Sequence, residues 1–291
     1  LEAFLDDLLC RYAPWARRAL SHREARAASL AQLAFPFSDW RAGQRPMAGE
    51  VFRACRAARG DAGARLFCQA PTGIGKTMSA VYPALASIGR GCGDKLFYLT
   101  ARTTACAAAE SALALLHAQN GALALRGITL TAKEKVCLCP GPDGRPECLP
   151  DRCPYARGYY DRILGALEDA LDNQRTFSRA AIAGLAQAHT VCPFELGLDL
   201  SEWCDVIVGD YNYLFDPVVR LRRYFDTGGD YLFLIDEAHN LPDRARDMYS
   251  AAFSKSALPE AQRALGKGKS RLKTALRQAN ETLLAYRKAC A

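Results

Sequence analysis

At its most informative point the sequence reads Ala70-Pro71-Thr72-Gly73-Ile74-Gly75-Lys76-Thr77. The residues before it, 65–68, are a short apolar run that predicts a buried strand. The residues after it, 78–86, suit a helix. A strand, a glycine-bearing loop ending in Gly-Lys-Thr and a helix are typical of the phosphate-binding loops of nucleoside triphosphatases. The loop departs from the usual pattern at its first position, which is Ala70 instead of glycine.

Each residue type in this loop has a chemical task. Gly73 and Gly75 let backbone N–H groups face the β- and γ-phosphates, which side chains would keep away. Lys76 and the N-terminus of the following helix add positive charge. The hydroxyl of Thr77 is placed to ligate Mg²⁺. The loop, Thr72 included, therefore predicts binding of ATP with Mg²⁺.

A second nucleotide motif follows much later in the chain. Residues 231–235 are five consecutive apolar residues, and Asp236-Glu237-Ala238-His239 comes directly after them. An aspartate at such a strand end holds Mg²⁺ through water, and the next glutamate polarises the attacking water. We take Lys76, Asp236, Glu237 and His239 as the candidate catalytic residues, and Thr77 and Asp236 as the candidate Mg²⁺ ligands. Together the two motifs predict ATP hydrolysis.

A turn upstream of the loop carries candidate adenine ligands. Gln44 follows several aromatic residues, and its amide can donate and accept hydrogen bonds at once, as the edge of adenine requires. An aromatic ring supplies a stacking face. We assign Gln44 and the nearby Arg41 to nucleotide binding. An aromatic turn that packs on the core explains the same residues equally well.

Two polar turns are candidate nucleic-acid contacts. Arg102 and Thr103 follow the apolar run 95–100, and Tyr211 and Asn212 follow a second apolar run. In open α/β sheets, ligands bind at the carboxyl ends of the strands. A capped helix start accounts for the first of these turns as well.

The composition indicates a globular protein with a bias toward anionic partners. Of 291 residues, 50% are hydrophobic and 24% charged, which suffices for one large or two ordinary domains. The formal charge of +7 favours partners such as nucleic acid. No long apolar run predicts a membrane span. The first residues carry no signal peptide, so we expect a cytoplasmic location.

Five of the twelve cysteines need their own explanation. Cys137, Cys139, Cys148 and Cys153 lie in a segment rich in proline and glycine, and Cys192 follows. Such a segment has few core-forming residues and needs a metal or cluster to hold it. The spacing lacks the two short Cys pairs of most structural zinc sites and fits an iron–sulfur cluster at least as well. Spacing alone leaves zinc and iron–sulfur open, and lets Cys139 replace Cys137.

In their order along the chain, these motifs resemble the XPD/DinG-like iron–sulfur DNA helicases of superfamily two. The similarity covers about residues 37–250 and includes Val136-Cys137, Arg152-Cys153-Pro154-Tyr155 and Cys192-Pro193-Phe194. The resemblance implies a [4Fe–4S] cluster, with Cys139 outside its ligand set. The implied ligands are Cys137, Cys148, Cys153 and Cys192. It also implies that Gln44 lies near the adenine.

The resemblance implies an α/β fold with a RecA-like P-loop parallel sheet and helices on both faces. We expect a helical extension or linker (1–36), a motor lobe in two parts (37–128 and 196–247), an iron–sulfur domain between them (129–195) and a truncated helical arch (248–291). The family's motor has a second RecA-like lobe. Only 52 residues follow His239, so we expect that lobe to be missing from this chain.

We therefore expect the first motor lobe of an ATP-dependent DNA helicase that moves 5′ to 3′ on single-stranded DNA or a forked duplex, in DNA repair or replication. The alternative is a nucleic-acid-binding module with a structural iron–sulfur or zinc site and little ATPase activity. A P-loop kinase or transferase is disfavoured, because adjacent carboxylates suit activation of water.

Overall fold

The computed structural model describes residues 2–57, 63–71, 73–101, 103–251, 256–266 and 270–289. The chain forms two compact units, Leu1–Pro242 and Asp243–Ala291. The first unit holds the sheet and every residue predicted to take part in chemistry.

The described residues of the first unit form a five-stranded parallel sheet. Its strands are β1 (Lys95–Thr100), β2 (Gly127–Thr129), β3 (Thr176–Phe177), β4 (Val206–Asp210) and β5 (Tyr231–Ile235). Their order is β3-β2-β4-β1-β5, and every neighbouring pair is parallel. Because parallel strands end at the same edge, the carboxyl ends of β4, β1 and β5 lie side by side. The predicted parallel α/β sheet is confirmed.

Helices cover both faces of this sheet. The helices of the first unit, in chain order, are α1 (Glu2–Ala31), α2 (Gln44–Ala57), α3 (Lys76–Ile88), α4 (Thr103–Gln119), α5 (Lys133–Val136), α6 (Tyr159–Asn173), α7 (Arg179–His189), α8 (Pro193–Glu202), α9 (Asn212–Phe215) and α10 (Arg222–Phe225). Helix α11 (Leu241–Met248) begins at the end of this unit. Helices α1, α3 and α4 pack on the face that carries Leu96 and Tyr98. The opposite face carries Phe97, whose ring lies 5.3 Å from that of Tyr224, and it is also covered by α8.

The segment before the phosphate loop differs from its prediction. Residues 63–70 have no regular secondary structure, and Leu66 and Phe67 are 41% and 90% exposed. In the described part of the chain, β5 therefore has a strand on one side only. Leu66 and Phe67 stand between the polar Arg65 and Gln69, and so short an apolar run does not fix a strand by itself.

Helix α1 is part of the first unit and is held there by a buried carboxylate. Asp205 precedes β4, and its side chain is 4% exposed. Its oxygens lie 3.0 Å from His22 Nε2 and 3.1 Å from Arg26 Nη1, and one accepts the backbone N–H of Arg126. Burial alone would raise the pKa of the Asp205 carboxyl, but these three partners outweigh it, and the pKa lies below its ordinary value.

The end of α1 lies very close to the end of α3. A Cβ atom at Gly89 would come within 2.6 Å of the Leu30 carbonyl carbon. Only glycine leaves room for this approach, which buries Leu30 against the sheet's helical layer.

The second unit contains two packed helices, α12 (Ala257–Ala264) and α13 (Arg271–Ala289). The sequence analysis expected a helical segment over residues 248–291, of which 252–255, 267–269, 290 and 291 lie outside the described residues. Among the helices that the structure describes, none has the length and apolar character needed to cross a membrane.

The substitution Asp205→Asn should lower the free energy of unfolding by about 3 kcal/mol, because it leaves Arg26 buried without its counter-charge. A carboxyl whose pKa is lowered by folding stabilises the protein above its unfolded pKa. The difference in the free energy of unfolding between wild type and variant should therefore become smaller as the pH falls below about 4.

Urea unfolding across this pH range measures the effect. The matched control is Asp94→Asn, which removes an exposed ion pair with Arg23 and should cost at most about 1 kcal/mol. Equal losses in the two variants would show that Asp205 does not hold α1 in place.

Candidate nucleotide site and cysteine cavity

The phosphate loop ends at the first residue of α3. Gly73 and Gly75 have φ angles of 84° and 85°, in the left-handed region that glycine adopts without strain. Lys76 begins α3, and its Nζ donates to the carbonyl oxygen of Ala70, 3.2 Å away. The Lys76 ammonium group thus lies against the loop whose bound phosphates it is predicted to contact. Thr72 lies outside the described residues.

The turn before α2 contacts this loop directly. Arg41 Nη1 donates to the carbonyl oxygen of Gly73 at 2.8 Å. Gln44 is 3% exposed, and its Oε1 accepts the backbone N–H of Arg41 at 2.9 Å. Its Nε2 lies so close to Gly75 that a Cβ there would approach it to 2.4 Å. The structure thus brings both predicted adenine ligands to the phosphate loop.

The aromatic residues of this turn pack against the protein itself. Phe35 stacks on Trp40 with ring centroids 3.6 Å apart, and both rings meet Tyr82 of α3 edge-on. This packing matches the alternative explanation of the turn from sequence. It also fixes the turn against the helix that follows the loop.

Asp236 is held on several sides at the end of β5. Its backbone N–H donates to the Leu99 carbonyl at 2.9 Å. Its Oδ1 accepts the N–H of Glu237 at 3.0 Å, and its Oδ2 accepts the hydroxyl of Tyr98 at 2.8 Å. The carboxylate is therefore fixed by β1 as well as by its own turn.

Glu237 and His239 are exposed beside this carboxylate. Glu237 has a φ angle of 52°, which is uncommon for a residue with a side chain and occurs at strained functional turns. Its Oε2 lies 3.2 Å from Nδ1 of His239. The turn leads the chain sharply away from β5 and leaves both side chains accessible to solvent.

The two nucleotide motifs meet at Tyr98, which is 2% exposed. Burial first, then Asp236, raises the pKa of the Tyr98 hydroxyl above its ordinary value, while the nearby Thr77 hydroxyl acts in the opposite direction. The Tyr98 hydroxyl is thus bonded to one predicted Mg²⁺ ligand, Asp236, and lies near the other. Hydroxyl and carboxylate oxygens are the donors that Mg²⁺ prefers, so the residues fit the ion.

The predicted nucleic-acid contacts have different positions. Arg102 lies outside the described residues, and Thr103 is the first residue of α4. Asn212 begins α9, and its backbone N–H donates to Asp210 Oδ1 at 2.9 Å. Tyr211 is completely buried, and its hydroxyl donates to the backbone carbonyl of Asp236. Its side chain therefore offers no surface to a nucleic acid, contrary to expectation, because β4 ends beside the Asp236 turn.

The five clustered cysteines line one cavity of about 310 Å³. They are Cys137, Cys139, Cys148, Cys153 and Cys192. The described cysteines are all free of disulfide bonds. Within the described ranges no three His, Cys, Asp or Glu side chains come close enough together to hold a single metal ion. The five thiols thus surround one cavity, but their positions do not form a ligand set for a single metal ion.

Positive charge and N–H donors flank the cavity. Burial would lower the pKa of Lys133, but Glu195, whose Oε1 is 3.2 Å from its Nζ, and Cys148 raise it above its ordinary value. Cys192 immediately precedes α8. Burial raises the pKa of the Cys192 thiol, while the N–H groups of Glu195 and Phe194 oppose that rise. Lys133 and the two N–H groups act in favour of a thiolate at Cys192, but burial outweighs them and the pKa of this thiol lies above its ordinary value.

Cys139 lines the same cavity as the other four cysteines, although the resemblance implies that it is not a cluster ligand. Desolvation first, and then Cys153 and Cys137, raise the pKa of its thiol. Its Sγ lies 3.8 Å from the carbonyl oxygen of Arg152. Cys139 is therefore a neighbour of the candidate ligands.

Comparisons with known proteins give one consistent result. Residues 95–258, more than half of the chain, match the family model DEAD_2. The Fanconi anemia group J protein homolog of Gallus gallus is 30% identical over 100 residues, or 34% of this chain and 8% of the relative. The XPD/RAD3 helicase subunit of the general transcription and DNA repair factor IIH of Saccharomyces cerevisiae is 25% identical over 163 residues, or 47% and 20%.

A solved structure described as an XPD helicase has the same fold, with a TM-score of 0.53 and 19% identity. The match covers 85% of this chain and 41% of that one. The chain spans a fifth or less of the length of both curated relatives.

The substitution Gly75→Ala should weaken ADP binding at least about tenfold, since a methyl group there is strained by the φ angle and meets the buried Gln44 amide. Fluorescence titration with a labelled ADP measures it. The control is Gly184→Ala in α7, where a Cβ would meet no atom within 4 Å and affinity should not change. Wild-type affinity in the Gly75 variant would contradict the described loop geometry.

Proposed function

Because the chain belongs to the DEAD_2 family of XPD-like superfamily two helicases, we propose that it is the first motor lobe, with an iron–sulfur domain, of an ATP-dependent DNA helicase. One observation carries the proposal. Asp236 of the later motif accepts the buried hydroxyl of Tyr98 at 2.8 Å, and Thr77 of the phosphate loop lies close enough to the same hydroxyl to influence its pKa. This proximity of two motifs far apart in sequence supports one shared site.

The residues of this site divide the hydrolysis of ATP among them. The backbone N–H groups at Gly73 and Gly75, with Lys76, bind the phosphates. Thr77 and Asp236 would hold Mg²⁺, which neutralises phosphate charge during transfer. Glu237 orients and polarises the attacking water, and His239 lies within reach of its carboxylate. Arg41 and Gln44, along with Thr72, complete the nucleotide site on the adenine side.

The charge distribution supports a DNA partner. Residues 243–291 contain eleven lysines and arginines against four acidic residues, an excess equal to the formal charge of the whole chain, +7. Such a local excess attracts a phosphate backbone. We assign single-stranded DNA or a forked duplex as the substrate, with 5′ to 3′ movement in repair or replication. Arg102, Thr103 and Asn212 are the proposed contacts at the strand ends.

The remaining parts of the assignment follow from the family. We place the cluster domain at 129–195 between the two parts of the lobe, and the beginning of the arch at 248–291. A second RecA-like lobe would supply the other wall of the ATP site. A cytoplasmic location belongs to the same proposal.

The cysteine cavity is proposed to hold a [4Fe–4S] cluster on Cys137, Cys148, Cys153 and Cys192. About 310 Å³ is far more space than a single ion needs, which favours a cluster over zinc. Lys133 and the N–H groups of Phe194 and Glu195 at the start of α8 would offset the negative charge of the thiolates. The cluster would tie the proline-rich segment to α8.

A second candidate is a nucleic-acid-binding module with a structural iron–sulfur or zinc site and little ATPase activity. The observation that favours it is the exposed segment 63–70, which leaves the phosphate loop without a strand to support it on that side. Nucleotide binding by the isolated chain separates the two candidates.

The substitution Lys76→Ala should weaken binding of Mg²⁺·ADP to the chain at least about tenfold, because it removes the charge that faces the phosphates. Isothermal titration of anaerobically purified protein measures it, with Lys273→Ala in α13 as the control. ATP turnover by residues 1–291 alone should be slow, since a second RecA-like lobe is proposed to supply the other wall of the site. If the wild-type chain binds no Mg²⁺·ADP, the second candidate is correct.

The substitution Cys153→Ser should abolish the cluster, whereas Cys139→Ser should retain about four irons per chain. Iron and sulfide analysis, together with visible absorbance after anaerobic purification, checks both. Zinc in place of iron in the wild-type protein would refute the cluster assignment, and equal iron loss in both variants would refute the ligand set.

A further inference from the structure

The hydroxyl of Tyr98 is bonded to a predicted Mg²⁺ ligand. Tyr98 stands in the middle of β1 on the face covered by α3 and α4. Its hydroxyl donates to Asp236 Oδ2 at 2.8 Å. A tyrosine hydroxyl buried this deeply needs a partner, and here the partner belongs to the proposed nucleotide site.

The chemistry of the two groups determines the direction of this bond. A tyrosine hydroxyl has one hydrogen, and an ionised carboxylate only accepts. Tyr98 therefore donates its hydrogen to Asp236 Oδ2, and the other lone pairs of the carboxylate stay available to a metal.

Other hydrogen bonds also restrain Asp236. Its Oδ2 is fixed by Tyr98, its Oδ1 by the N–H of Glu237, and its backbone carbonyl by the hydroxyl of Tyr211. Two buried tyrosines from neighbouring strands thus restrain one aspartate, one through its carboxylate and one through its backbone.

We propose that Tyr98 is a positioning residue for Mg²⁺, whose hydroxyl orients the Asp236 carboxylate before the metal–nucleotide complex arrives. The inference rests on the proposed function and adds a residue to its site. Without the Tyr98 hydroxyl, Oδ2 of Asp236 loses its hydrogen-bond donor and the carboxylate is free to rotate. This change weakens metal binding and leaves the phosphate contacts of the loop in place.

The test is Tyr98→Phe, with ADP affinity measured in EDTA and in Mg²⁺. Affinity in EDTA should stay within about twofold of the wild type, since the loop and Lys76 are unchanged. The gain in affinity on adding Mg²⁺ should fall about tenfold, the effect of losing one charge-assisted hydrogen bond. A Mn²⁺ titration followed by electron paramagnetic resonance in the presence of ADP should show the same loss, and excess Mg²⁺ should restore affinity.

The matched control is Tyr224→Phe. Tyr224 is 3% exposed, its hydroxyl lies 2.6 Å from that of Ser201, and it packs on Phe97, on the opposite face of the sheet. Loss of the Tyr224 hydroxyl should lower thermal stability about as much as loss of the Tyr98 hydroxyl. It should leave the gain in ADP affinity on adding Mg²⁺ unchanged.

The outcomes separate the inference from the proposed function. A wild-type Mg²⁺ gain in the Tyr98 variant, or equal weakening with and without Mg²⁺, overturns the inference alone. In the double variant Tyr98→Phe/Asp236→Asn, the inference predicts no further loss of the Mg²⁺ gain beyond that of Asp236→Asn. Absence of nucleotide binding by the wild-type chain overturns the proposed function instead.

Discussion

The proposed nucleotide site depends on Asp236, which lies where β4, β1 and β5 end at one edge of the parallel sheet. Its backbone N–H bonds Leu99 of β1, its carboxylate bonds Tyr98, and its carbonyl bonds Tyr211 directly after β4. These contacts come from β1 and from the residue after β4, so Asp236 takes this position only when β5 lies beside both parts of the sheet. The proposed nucleotide chemistry therefore depends on the tertiary fold and cannot come from either motif alone.

The cysteine-bearing segment is joined to the same sheet. It contributes β3, which pairs with β2, and it leads into α8, which packs on β2. Cys192 immediately precedes α8. A group bound by the cysteines would consequently stabilise the outer edge of the sheet as well as the loop that carries most of them. At the amino ends of the strands, Asp205 fixes α1. The proposed nucleotide site lies at the opposite, carboxyl ends.

Continuous apolar runs were sufficient to predict β1 and β5, which begin and end where those runs do. The resemblance implied the parallel sheet. The run at 65–68 failed, because so short an apolar run does not fix a strand by itself, and Phe67 stays exposed. The contacts of Tyr98 with Asp236 and of His22 with Asp205 span 138 and 183 positions. No local pattern encodes such contacts, although a tyrosine inside an apolar strand is a signal that a buried partner exists.

The most direct test of the shared site is a crystal structure of the chain with ADP and Mn²⁺, in which anomalous scattering locates the metal. The account predicts one metal peak at the β-phosphate, within direct or water-mediated reach of both Thr77 Oγ1 and the Asp236 carboxylate. A peak that reaches the phosphate loop but not Asp236, or a nucleotide bound elsewhere on the chain, would contradict it.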